Sequence, residues 1–187
     1  MWGQPPRLSG GPVVRAAVFG TTHRSRTDTP EMPSVLIIAY GNPLRSDDGV
    51  AWRAADILAE TFPARDVEIL RLHQLAPELA DTLRGFDRVI FIDAAFSEVA
   101  AIEPGTVRVD EIAAQTPDPA RFSHAFSPQK VLGLAAELYG VQPRAFSVNV
   151  QGANFDHGNA LSAAVANALP ELIATIERLL QGAATKA

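Results

Sequence analysis

The sequence predicts an α/β chain: a three-layer α/β/α sandwich in which helices cover a mainly parallel sheet of about five strands. Three observations carry that expectation. Short apolar runs alternate with stretches of helical period from about residue 34 to residue 182. Two of those runs, VLIIAY and RVIFID, are apolar almost without interruption, as strands buried on both faces are. No internal repeat divides the 187 residues, a length that suits one domain with a substantial core.

The elements follow in order. Residues 1–33 carry Gly, Pro, Ser, Thr and four arginines with no sustained apolar period, and are expected to be a disordered extension. Met32 stands three residues before the first strand, so native translation starting there is a further expectation, tested by N-terminal sequencing of the native protein. Val35 opens a strand that ends at Gly41-Asn42 and, after Pro43, runs into Arg45, Asp47 and Asp48. Val50, Ala54, Leu58 and Phe62 form an i, i+4 stripe for a helix, with Asp47 or Asp48 as its N-cap and Pro63 as its stop.

Val67–Leu72 is the second strand, and Leu75, Leu79 and Leu83 share one face of a short helix closed by Gly85. The strand Arg88–Asp93 delivers a single acid at its carboxyl end. Gly105–Val109 reads as a shorter edge strand, antiparallel, before a Pro- and Ala-rich loop through Phe122. SHAFSP, residues 123–128, introduces a helix with Val131, Leu132, Ala135 and Leu138 inward, ending near Gly140. After a last strand, Arg144–Val150, the loop QGANFDHGN leads to a helix with Leu161, Val165, Leu169, Leu172, Ile176 and Leu179 inward. Pro170 is expected to kink or divide that helix, since a proline inside a straight helix costs about 3 kcal/mol. Residues 183–187 read as a flexible tail.

Composition removes several functions. The formal charge is −5 and the arginines are scattered singly, so no basic stripe offers the phosphate-neutralising footprint that nucleic acid requires. With no cysteine there is no disulfide, no thiolate nucleophile and no zinc–sulfur site. No apolar run approaches a membrane span, and PVVRAAVFG is too short and broken by Arg15 to be a secretory core, so a cytoplasmic location is expected. GNPLRSDDG lacks the Gly-Lys-Ser/Thr of a phosphate loop, and Ser46 and Ser123 lack a Gly-x-Ser-x-Gly elbow.

What remains is oxygen and nitrogen chemistry. Ligands of open α/β sheets bind beyond the carboxyl ends of strands, which is where Asp48 and Asp93 stand. His124, in the loop before the third helix, can enter the same cleft, and two carboxylates with one imidazole suit a divalent metal with positions left open. Each residue also has a structural role available. Asp47 and Asp48 stand where helix caps stand, which accounts for one acid well and two less well. Asp93 could accept backbone hydrogen bonds, but an acid ending VIFI is costly to bury unless paired or ligated. Arg45 can pair with Asp47 or Asp48, His73 can line the rim, and His157 sits in a Gly- and Asn-rich loop exposed to solvent.

GNPLRSDDG after an apolar strand, VIFIDA, and SHAFSP before LGLAAELYG together resemble the hydrogenase maturation proteases, from about Val35 to about Leu180. That family removes a C-terminal extension from the large subunit of nickel–iron hydrogenase once nickel is inserted. The resemblance implies that Asp48, Asp93 and His124 are metal ligands, that Asp48 and Asp93 act in cleavage, and that Asn42, Arg45 and Asp47 support the turn. Some members read Ser-Pro-His where this chain has Ser127-Pro128-Gln129; here the histidine, His124, lies four residues before Pro128, and the resemblance implies a one-turn shift of the loop that brings it to the site. It also implies a hydrogenase large-subunit precursor as partner, with nickel supplied by that substrate and held there by its thiolates. Two other readings share the fold: a metal-dependent assembly factor that binds without cutting, and a hydrolase of another substrate.

Overall fold

The computed structural model describes residues 35–62, 67–96, 102–116 and 126–182. Five strands make one sheet in the order β2-β1-β3-β5-β4: β1 Val35–Tyr40, β2 Val67–Leu72, β3 Arg88–Ala95, β4 Val107–Ile112 and β5 Arg144–Gln151. The pairs β1–β2, β1–β3 and β3–β5 are parallel, and β4 joins β5 antiparallel at the edge. The expected sandwich is therefore present, with the expected antiparallel edge strand two residues further along the chain.

Alternation along the strands sorts two cores. Val35, Ile37 and Ala39 of β1, Ile90 and Ile92 of β3 and Phe146, Val148 and Val150 of β5 pack under helices α1 (Val50–Thr61) and α4 (Ala163–Gln181). Leu36, Ile38, Val89, Phe91 and Ala145 pack on the opposite face with the short α2 (Leu79–Thr82) and with α3 (Pro128–Tyr139). Leu172 and Ile176 of α4 are fully buried, worth about 1.5–3 kcal/mol each in area removed from water.

Several local expectations are corrected. Leu138 is not inward: it is 60% exposed, because Val131, Leu132 and Ala135 already fill the buried stripe of α3. Leu161 precedes α4, whose N-cap is Ser162, yet still packs against the core. Of the two outcomes expected for Pro170, division is excluded, since one helix runs from Ala163 to Gln181 through it. A buried stripe of Val165, Ala168, Leu172 and Ile176 spans both sides of the proline and outweighs the lost hydrogen bond. Ser127 caps α3, accepting from Lys130 N, with Pro128 at its first turn and Gly140 closing it in the left-handed region (φ 66°).

Candidate functional site

The order of strands creates the site. From β1 the chain crosses to β2 on one side, then returns past β1 to β3 on the other, so β1 and β3 flank the point where the connections diverge. Loops leaving the carboxyl ends of two such strands splay apart and leave a crevice, the usual ligand position of open α/β sheets. Asp48 follows β1 and Asp93 stands near the carboxyl end of β3, so both lie at this edge of the sheet, near enough for the charge of Asp48 to act on Asp93.

Asp48 rides on a turn that its own hydrogen bonds shape. Its Oδ2 accepts from Asn42 N at 2.8 Å, while Asn42 Oδ1 accepts from Leu44 N at 3.0 Å. Gly41 makes the close approach possible: its φ is 137°, and a Cβ there would lie 2.2 Å from the Asp48 carbonyl oxygen. A 3-10 turn, Ser46–Gly49, then leads into α1.

Neither acid caps that helix, contrary to expectation; the N-cap of α1 is Gly49, with no side-chain bond. The 3-10 turn displaces both carboxylates from the cap position, and Asp47 turns inward instead. It is fully buried and accepts four hydrogen bonds from the loop after β5: from Ala153 N at 2.8 Å, Asn154 N at 2.9 Å, Ser162 N at 2.6 Å and Ser162 Oγ at 2.9 Å. Burial opposes its ionisation, but these donors outweigh burial and hold Asp47 below the usual carboxylate range.

The same loop clamps the turn along its whole length. Ser46 N donates to Gly158 O, Asp47 N to Asn154 O and Gly158 N to Leu44 O. Ser46, at φ 47°, is the one non-glycine with positive φ among the described residues, a strained conformation sustained by these bonds. Arg45 does not pair with either acid: its Nε donates to Phe155 O at 3.1 Å, so the guanidinium joins the clamp.

Asp93 is half-buried and has fewer donors. Its Oδ1 accepts from Ala94 N at 2.8 Å, and the Tyr40 hydroxyl donates to its carboxylate. Burial pushes its pKa up to about 7; the Tyr40 and Ala94 hydrogen bonds oppose the rise, and the nearby Asp48 charge adds to it. Tyr40 is itself driven upward, by burial first and then by the charge and hydrogen bond of Asp93, so it stays a donor. Sequence reading missed Tyr40; its position at the end of the apolar run, one place before Gly41, was the available signal.

A pH consequence follows. Because the folded pKa of Asp93 exceeds its ordinary value of 3.8, the unfolded chain releases that proton first. Between about pH 4 and about 7 the native state holds the extra proton, so this group makes stability fall as pH rises and has no further effect above that window. Chemical denaturation across pH 4–8 is expected to show this decline in the wild type and not in Asp93→Asn, relative to otherwise equal curves.

His124 lies outside the described residues, as do Ser123 and Phe122. His73 is exposed at the end of β2, its ring 5.1 Å from that of Trp52, and His157 is exposed as expected. Among the described residues no group of three or more His, Asp or Glu side chains is placed to hold a metal ion. Asp48 and Asp93 are near enough for the charge of Asp48 to act on Asp93. No helix among the described residues is long and apolar enough to cross a membrane.

Known proteins share this architecture. The hydrogenase expression/formation protein HupD of Rhizobium leguminosarum bv. viciae is 30% identical over 158 residues, covering 81% of this chain and 76% of that protein. The hydrogenase maturating endopeptidase HybD of E. coli superposes with a TM-score of 0.61 at 24% identity, covering 80% of this chain and 93% of that one. The [NiFe] hydrogenase maturation protease HycI of Thermococcus kodakarensis KOD1 gives a TM-score of 0.63 at 20% identity, with coverage of 80% and 93%. No protein-family model matches the chain.

Proposed function

The chain belongs to the hydrogenase maturation protease family, and from that membership we propose that it is the endopeptidase that removes the C-terminal extension of a nickel-loaded hydrogenase large-subunit precursor. The observation that carries the reading is the pairing of Asp48 and Asp93 at the crevice between β1 and β3. Two oxygen donors facing one opening suit a divalent ion that arrives already held on its other side by softer ligands. In this reading His124 supplies the nitrogen donor.

The electrostatics make the loaded state the favoured partner. Without an ion, Asp48 disfavours ionisation of Asp93; an arriving cation turns that repulsion into attraction for both. Metal presence is thereby a condition of tight docking. A bound ion could polarise the scissile carbonyl, and Asp93, ionised in the presence of that charge, is suited to take a proton from the attacking water. Tyr40 holds the Asp93 carboxylate in place, and the Asp47 clamp holds the turn that carries Asp48. We place the reaction in the cytoplasm, in keeping with a chain free of cysteine.

Mass spectrometry of a nickel-loaded large-subunit precursor mixed with the protein tests the reading. Shortening of the precursor at its C-terminus is expected. A stable complex with unchanged precursor mass would instead assign the protein to the assembly factors that bind without cutting.

A further inference from the structure

The sheet carries a second polar feature beside the acidic pair. On β5 the residues Phe146, Val148 and Val150 fill the core under α1 and α4, whereas the alternate positions Ser147, Asn149 and Gln151 face the other side. Three successive polar positions on an interior strand are not explained by packing; on β3 and β5 the buried apolar residues of that face, Val89, Phe91 and Ala145, lie in the amino-terminal halves of their strands.

Register makes the feature continuous with the site. Asp93 pairs with Asn149, and Asn149 pairs with Arg108 on β4. These three residues therefore form one cross-strand row, with Arg108 about 10 Å from Asp93 at two strand spacings. Ser147 pairs with Asp110 one step below, and Gln151 N donates to Thr106 O one step above. Ala95, Ile102, Thr106, Arg108, Asp110, Asn149 and Gln151 line a cavity of about 180 Å³ over this patch.

The lining offers two carboxamides, of which that of Gln151 donates from Nε2 to Gly152 O at 3.4 Å, and one guanidinium. Asn149 Nδ2 donates to Ser147 Oγ at 3.0 Å, and its carboxamide oxygen has no other partner among the described residues. Carboxamides offer both a donor and an acceptor, matching the alternating N–H and C=O of an extended main chain. Arg108 makes no ion pair among the described residues, leaving its guanidinium available to a carboxylate.

We propose that this groove is the subsite that holds an extended, carboxylate-bearing stretch of the precursor peptide as it leaves the Asp48–Asp93 crevice, with Asn149 and Gln151 on its main chain and Arg108 on its carboxylate. The proposal rests on the peptidase reading for its ligand. The carboxylate is either an acidic side chain or the chain terminus, and the test separates them.

Cleavage kinetics on the nickel-loaded precursor are measured for the wild type, Arg108→Ala and Arg108→Lys. Arg108→Ala is expected to raise KM about tenfold with kcat nearly unchanged, and Arg108→Lys to recover part of the loss. A precursor with its terminus amidated, and one with the acidic residues of its extension changed to amides, show which carboxylate is read: the effective change raises wild-type KM and leaves Arg108→Ala unaffected. Unchanged KM in Arg108→Ala, with the wild type active, overturns the proposal. Should the wild type fail to cleave, the peptidase reading falls separately, and NMR still tests the groove. A synthetic peptide spanning the cleavage site and extension is then expected to shift the Asn149 and Gln151 side-chain amide signals; no shift overturns it.

Discussion

Asp93→Asn is expected to fold normally and to lose precursor cleavage by about 10³-fold or more in kcat/KM. The substitution keeps an oxygen to accept from Ala94 N and a partner for the Tyr40 hydroxyl, so the site's shape is preserved. What it removes is the ionisable oxygen, and with it, in the proposed reading, a metal ligand and the proton acceptor; loss of a general base alone costs about 10²–10⁴-fold. Because ionising Asp93 in the folded chain is unfavourable, the variant should also match or exceed the wild type in stability above about pH 7. Activity lost while stability is held separates a chemical role from a structural one. Cleavage within about tenfold of wild type would remove Asp93 from the reaction.

Asp47→Ala is expected to do the reverse, acting first on stability. The buried carboxylate satisfies three backbone N–H groups and one hydroxyl, and its loss leaves Ala153, Asn154 and Ser162 without their acceptor. Breaking such a buried charged network costs about 3–5 kcal/mol, or on the order of 10 °C in melting temperature for a chain of this size. The folded pKa of Asp47 is depressed, so its stabilisation is complete above the ordinary carboxylate range and is lost as pH falls through the folded value. Thermal denaturation at neutral pH and at pH 3 should therefore show a large gap between wild type and variant that narrows in acid. A variant within about 2 °C of wild type at neutral pH would show that the clamp carries no such weight.

These two neighbouring acids mark the limit of what the chain discloses as text. The strand from Val35, the strand from Arg88 and the placement of Asp48 after the first and Asp93 near the carboxyl end of the second were legible, because unbroken apolar runs followed by a glycine turn or an acid admit few structures. The role of Asp47 was not. A carboxylate before a helix looks the same whether it caps or clamps, and its true partners lie 106–115 positions away in sequence. Tyr40 was hidden for a related reason: an aromatic ending an apolar run reads as core until the neighbouring strand's acid is known to face it. The polar alternation Ser147, Asn149, Gln151 was visible in the letters, and gained meaning only when β5 proved to be an interior strand. Leu138 shows the opposite error, an apolar residue assigned inward by period alone on a helix whose buried stripe was already full.

In the proposed function the carboxylates of Asp48 and Asp93 sense an ion carried by the substrate. Its most direct test compares the same large-subunit precursor with and without nickel, each incubated with the wild-type protein and followed by intact mass. Loss of the C-terminal extension from the loaded form, with the nickel-free form left whole, is the predicted result. Equal cleavage of both forms would contradict it.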